Sequence, residues 1–225
     1  MRLQVALAFT LLSLHARADS RATAFVSAYS DDDNLTVVSP EVALRQELSP
    51  AVDVEASWEA DIISAASVDV MTAASPRGYE ETRHGLSAGV IWKPEPEITF
   101  ALKYLPTWEN DYSSHGLSLR TGYEWLERRL EQRLDLRASF DRVGRAGEPE
   151  SEWRDLGLVA VGPSVSYVVD RWTVASVAYE LQAQSGFQAS PYRFVPIDWS
   201  SGTTVSAPER RPEWRVRHAL ALGVR

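Results

Sequence analysis

The chain has 225 residues, 23 lysines and arginines against 31 aspartates and glutamates, a net charge of −8 and no cysteine. That acidic balance argues against nucleic acid, which needs a basic face, and the missing cysteine excludes a disulfide framework. After the first apolar segment, no stretch approaches the roughly 20 apolar residues of a spanning helix, so any membrane would be crossed by strands.

Residues 1–18 have the layout of an export signal. Arg2 stands near the start, an apolar run covers Val5 to Leu14, and the small residues Ala16 and Ala18 precede Asp19. A mature chain is expected to begin near Asp19 and to form one domain over 19–225. Removing Arg2 and Arg17 takes the net charge from −8 to −10.

From there a two-residue alternation recurs along the chain. Val52, Val54, Ala56, Trp58, Ala60 and Ile62 interleave with Asp53, Glu55, Ser57, Glu59 and Asp61. A strand separates these sets onto opposite faces, and a helix does not. Ile98, Phe100, Leu102 and Tyr104 repeat the pattern against Lys103, as do Leu117, Leu119, Tyr123 and Trp125 against Arg120 and Glu124. Leu130, Leu134, Leu136, Ala138 and Phe140 likewise oppose Arg133, Asp135, Arg137 and Asp141.

Ten strands are predicted, over 22–30, 35–48, 52–63, 84–93, 97–108, 112–125, 129–143, 156–169, 172–185 and 213–224. Most are long enough to cross a bilayer at a tilt, which takes about 9–11 residues. The connections after even-numbered strands are tight: Ser49-Pro50-Ala51, Pro94-Glu95-Pro96, Leu126-Glu127-Arg128 and Asp170-Arg171. Those after the third, seventh and ninth strands are long, Ser64–Arg83, Gly144–Asp155 and Gly186–Pro212, whereas those after the first and fifth, Asp31–Asn34 and Glu109–Asp111, are brief but polar and fit the long-loop side less distinctively. Short turns at one end and long loops at the other are the layout of outer-membrane barrels. Tyr29, Trp92, Trp108, Tyr112, Trp125, Tyr167, Trp172 and Trp214 are expected to form interfacial girdles.

The expected fold is therefore all-β: an antiparallel up-and-down transmembrane β-barrel of about ten strands, or part of a larger one, in the bacterial outer membrane with lipid as its partner. Its interior would hold Glu41, Arg45, Glu47, Asp53, Glu55, Glu59, Asp61, Lys93, Lys103, Arg120, Glu124, Arg133, Asp135, Arg137, Asp141, Glu180, Arg215 and Arg217. A ring this narrow is filled by side chains and has no room for a wide channel. A secreted soluble β-protein would carry the same alternation with the apolar faces turned inward.

Three stretches together, 67–76 (SVDVMTAASP), 185–194 (SGFQASPYRF) and 217–222 (RHALAL), resemble a family of uncharacterised outer-membrane β-barrel proteins of Gram-negative bacteria, catalogued as a domain of unknown function. The resemblance implies a location and an architecture, with no catalytic residue or ligand to carry over. Members of that family are usually longer and continue with further hairpins.

Candidate chemistry is sparse. Asp61, His84, Asp111 and His115 fall near the loop end, where a carboxylate and an imidazole could activate water as in omptin-like outer-membrane proteases. Ser113, Ser114 and His115 suggest the serine and histidine of outer-membrane phospholipases, without the residues expected around such a pair. Asp31, Asp32, Asp33 and Asn34 offer oxygens to calcium but lack EF-hand spacing and suit a polar turn. No phosphate loop, zinc cluster or dinucleotide fingerprint is present. The sequence thus favours a non-enzymatic barrel without cofactor or metal, acting through its long loops or passing small solutes, with no protein partner indicated.

Overall fold

The alternating segments form the expected strands in a computed structural model that describes residues 3–9, 19–30, 35–65, 79–198 and 204–225. In chain order these are β1 (Leu3–Phe9), β2 (Ser20–Ser30), β3 (Leu35–Ser49), β4 (Val52–Ala65), β5 (Tyr79–Glu95), β6 (Ile98–Trp108), β7 (Tyr112–Trp125), β8 (Leu130–Val143), β9 (Arg154–Asp170), β10 (Thr173–Gly186), β11 (Phe194–Asp198), β12 (Thr204–Pro208) and β13 (Trp214–Val224). The helical content among the described residues is one 3-10 turn, Glu150–Glu152.

Eleven strands make one antiparallel sheet in the order β1 to β10 and then β13, while β11 and β12 pair as a separate hairpin. All ten predicted strands are in the main sheet. Two elements are unforeseen: β1, which joins the main sheet from the expected signal segment, and the separate β11–β12 hairpin inside the long connection Gly186–Pro212. The sheet is consistent with a barrel but is not closed, since β1 and β13 stand at its two edges.

Because side chains alternate, the register sorts residues onto two faces. One face is apolar: Leu44, Trp58, Val90, Leu102, Leu117, Phe140, Val159, Leu181 and Leu222 are all exposed. No second layer covers them; the other sheet among the described residues is the two-stranded hairpin. Among the described residues, large side chains accordingly have no interior, and the buried apolar residues are four alanines, Ala60, Ala101, Ala160 and Ala189. Apolar faces meeting in a two-layer stack, as a soluble sandwich requires, are not what the described residues form.

The other face is polar, and its charges pair across strands. Arg45 bonds Asp53 at 2.5 Å and Arg120 bonds Asp135 at 2.6 Å, while Lys103–Glu55, Arg137–Glu180 and Arg83–Asp61 are also in contact. The first and second of these three pairs reach over small residues, Gly89 and Ala160. Arg137 and Glu180 belong to β8 and β10, and Ala160 of β9, directly opposite Arg137, is only 2% exposed.

The sheet is strongly sheared. Ser20, Gln46, Val54, Val90, Leu102, Leu119, Leu136, Val161, Leu181 and His218 are successive partners across ten strands. Gln46 stands four residues before Pro50 in the β3–β4 turn, whereas Leu181 stands ten after Arg171 in the β9–β10 turn. The row therefore climbs about one residue per strand. A rise of about 3.3 Å for each strand spacing of about 4.8 Å is a tilt of about 35°, the tilt at which strands close into barrels.

The β7–β8 turn holds Leu126, Glu127 and Arg128 all at positive φ, 52°, 55° and 68°, a conformation that L side chains adopt at a cost. Arg129 offsets it: its backbone N–H bonds Leu126 O at 3.1 Å, and its guanidinium donates to Val168 O and Val169 O at 3.1 and 3.0 Å.

Candidate functional site at the loop end

The long connections gather over one end of the sheet, and a polar chain runs along its rim. Ser39 Oγ donates to Asp61 Oδ1 at 2.6 Å; Asp61 also takes Arg83, whose Nε lies 3.9 Å from Glu109 Oε1. Glu109, Glu81 and Asp111 follow, with carboxylate oxygens within 4.8 Å of one another. Strand β5 supplies Glu81, and the β6–β7 turn supplies Glu109 and Asp111. A turn of three residues between two long strands forces those two acids close to the neighbouring strand end.

The segment after β10 folds back across this end. Phe187 N–H donates to Asp155 O at 2.9 Å, Arg145 donates twice to Pro191 O at 2.9 and 2.7 Å, and Ala146 N–H donates to Tyr192 Oη at 2.7 Å. The Tyr192 hydroxyl also bonds Asp111. A residue six positions beyond the end of β10 thus touches the β6–β7 turn. Beside it, Arg154, Phe187, Gln188, Glu209, Arg211 and Glu213 line a cleft of about 540 Å³, with the Arg154 guanidinium 3.9 Å from the Phe187 ring centre.

Electrostatics follow from this crowding. Burial, then the Glu109 carboxyl and the Asp111 charge, push the Glu81 carboxyl up to about 7, with Arg83 opposing. Tyr192 is pushed up to about 12, by burial first and then by Asp111. In the opposite sense, Arg211 and the Ser190 N–H hold Glu209 down at about 2. Three carboxylates at this spacing can share a cation or a proton, and no described lysine or histidine joins them. Beneath them Ser114 Oγ donates to the buried Asp141 at 2.6 Å.

The residues singled out from sequence are separated by the sheet. Asp61, Asp111 and Ser114 join the polar rim, but His84 and His115 lie on the apolar face. His84 is stacked between Trp58 and Trp108, with ring centres 6.1 and 5.5 Å away. His115 Nδ1 is 2.5 Å from Tyr104 Oη. Neither the Asp–His arrangement of an omptin-like protease nor a Ser114–His115 pair is assembled, because adjacent residues of one strand point to opposite faces. Ser113 shares the His115 face, where His115 already has Tyr104. The calcium candidates Asp31, Asp32, Asp33 and Asn34 lie outside the described residues, as does most of Ser64–Arg83.

Of the expected girdle, Trp92, Trp108, Trp125, Trp172 and Trp214 are exposed. Two members were misplaced: Tyr29 falls on the Phe25 face of β2, and Tyr112 on the Ser114 face of β7, because strand parity, not closeness to a strand end, decides the side. Sequence reasoning also missed Glu81, Glu109 and Tyr192. A carboxylate at each end of a short turn was the available signal for Glu109 and Asp111, whereas nothing local announces Tyr192.

No family model, curated protein or solved structure matches the chain.

Proposed function

We propose that the chain is an exported outer-membrane β-barrel, processed after Ala18, that is non-enzymatic and acts through its loop end. One observation carries this reading: the face that bears Leu102, Val90 and Leu181 is uncovered, while the opposite face is laced by ion pairs. Soluble proteins rarely expose a contiguous apolar patch beyond a few hundred Å². Lipid is the solvent in which such a face costs nothing, provided that every backbone group is paired by closure. The tilt of about 35° and the strand lengths of 11–17 residues in β2–β10 support the same reading, as does the resemblance to Gram-negative outer-membrane barrels.

Within it, the loop end favours binding over free passage. Ion pairs fill the inner face, and the Phe187–Arg193 segment lies across the mouth beside a cleft with both charge signs. The test is fractionation of cells producing the full chain. Recovery in the outer-membrane fraction, resistant to alkaline extraction and migrating differently on gels before and after boiling, is expected. Recovery in the periplasmic wash would end the reading.

A further inference from the structure

The two edges of the sheet are chemically matched to each other. On the row that starts at Ser20 and ends at His218, the climb is about one residue per strand, so a full ring of ten strands shifts the register by about ten residues. One more step from β13 to β2 then brings His218 opposite Ser30, and antiparallel pairing sets Ala24 opposite Val224. In this register the polar-face residues Phe25 and Tyr29 stand opposite Gly223 and Ala219, aromatic against small, while Val26 and Ala28 meet Leu222 and Leu220 on the apolar face. Cross-strand pairs of this kind are the unit of sheet stability, and an aromatic beside an edge glycine covers the backbone that glycine exposes.

That stretch of β2 is already occupied. Strand β1 pairs with Ala24 through Ser30, from Phe9↔Ala24 to Leu3↔Ser30, which are the seven positions that the shear assigns to His218–Val224. The two segments also correspond in composition: Val5-Ala-Leu-Ala-Phe9 holds the positions of Leu220-Ala-Leu-Gly-Val224. The geometry points to β13 as the strand that completes the edge of β2, with Ala24–Ser30 against His218–Val224, and to Leu3–Phe9 as a stand-in that holds this edge until residues 1–18 are removed. Processing then does more than release the chain: it frees the edge of β2 through which the sheet closes, an edge that Leu3–Phe9 covers until then and that would otherwise template pairing between molecules.

This inference rests on the membrane reading above but fails separately from it. The chain has no cysteine, so introduced pairs report cleanly. Ser27→Cys with Ala221→Cys and Ala28→Cys with Leu220→Cys are adjacent in the ladder, and one of them must be the closer, non-hydrogen-bonded kind. In processed protein extracted from the outer membrane, an intramolecular disulfide is expected in at least one pair. Ala28→Cys with Val224→Cys, four residues out of register, should stay reduced. In the unprocessed chain refolded in micelles the in-register disulfide should be lost, and Val5→Cys should join Ala28→Cys instead. Membrane-inserted protein in which neither in-register pair closes, closes only between two chains, or closes equally with residues 1–18 attached would overturn the inference. Protein found only in the soluble fraction would instead overturn the membrane reading.

Discussion

Lys103 and Glu55 are joined as an ion pair although they sit on β6 and β4, with β5 between them. The bridge crosses Gly89, where an added Cβ would lie 3.0 Å from Lys103 Cγ and 3.0 Å from the backbone Leu102 O. A glycine is needed there so that two long charged side chains can pass over the strand. The same device recurs where Arg137 reaches Glu180 past Ala160.

Gly89→Ala should therefore destabilise the fold by about 1–2 kcal/mol, since the neighbouring backbone must shift. Gly122→Ala, whose Cβ would find its nearest neighbour at 3.9 Å, should be neutral or slightly stabilising. Urea midpoints of the two variants in the same micelles give the comparison; equal midpoints would contradict the bridging role of Gly89.

Leu102 lies on the uncovered face. Leu102→Arg should cost about 2–4 kcal/mol of folding free energy in a bilayer, the penalty for a charge near the midplane of a lipid-facing strand. Surface substitutions in water usually stay within about 0.5 kcal/mol. Urea refolding into vesicles distinguishes the two, and an unchanged free energy would speak for water on that face.

The segment that folds back across the loop end is held by few bonds, so it should loosen in steps. Arg145→Ala deletes both bonds to Pro191 O, and Tyr192→Phe deletes those to Ala146 and Asp111. At about 1 kcal/mol per bond, the two bonds lost in each variant should raise the rate of proteolytic cleavage within 187–212 about thirtyfold, while the protease-resistant sheet persists. An unchanged cleavage rate would mean that these contacts do not hold the segment.

Glu81, Glu109 and Asp111 stand on the loop side of the Trp108–Ser113 pair. Glu81 has an ordinary value of 4.5 and is raised to about 7 by burial and by Glu109, so the fold favours its protonated form. Its contribution is fully present below about pH 4.5 and is lost as pH rises toward 7 and beyond. Loop-end stability should thus fall between pH 4.5 and 8, and Glu81→Gln should flatten that fall. The urea midpoint or the cleavage rate against pH measures it; a wild-type profile as flat as that of the variant would refute the assignment.

The strands were legible because alternation is a local signal, and β7 was bounded to the residue, 112–125. The faces were legible too: His84 shares parity with Leu86, Val90 and Trp92, and His115 with Leu117, which already sets both histidines apart from Asp61 and Asp111. What alternation lacks is the distance between strands. Tyr192 meets Asp111 across 81 residues of chain, through an irregular segment whose path no local pattern gives. The β11–β12 hairpin escaped because Pro196 and Pro208 remove backbone donors and lower any reading of those segments as strands. The shear that aligns Ala24–Ser30 with His218–Val224 is likewise a sum over nine ladders, invisible in any one segment.

Lipid contact by the apolar face is tested most directly by tryptophan fluorescence in vesicles whose acyl chains are brominated near mid-depth. Strong quenching of Leu102→Trp, on a Trp58→Phe background in which the tryptophans at the strand ends are quenched less, is the expected result. Emission that is unchanged by bromination and centred at the wavelength of a water-exposed indole would contradict a membrane-facing sheet.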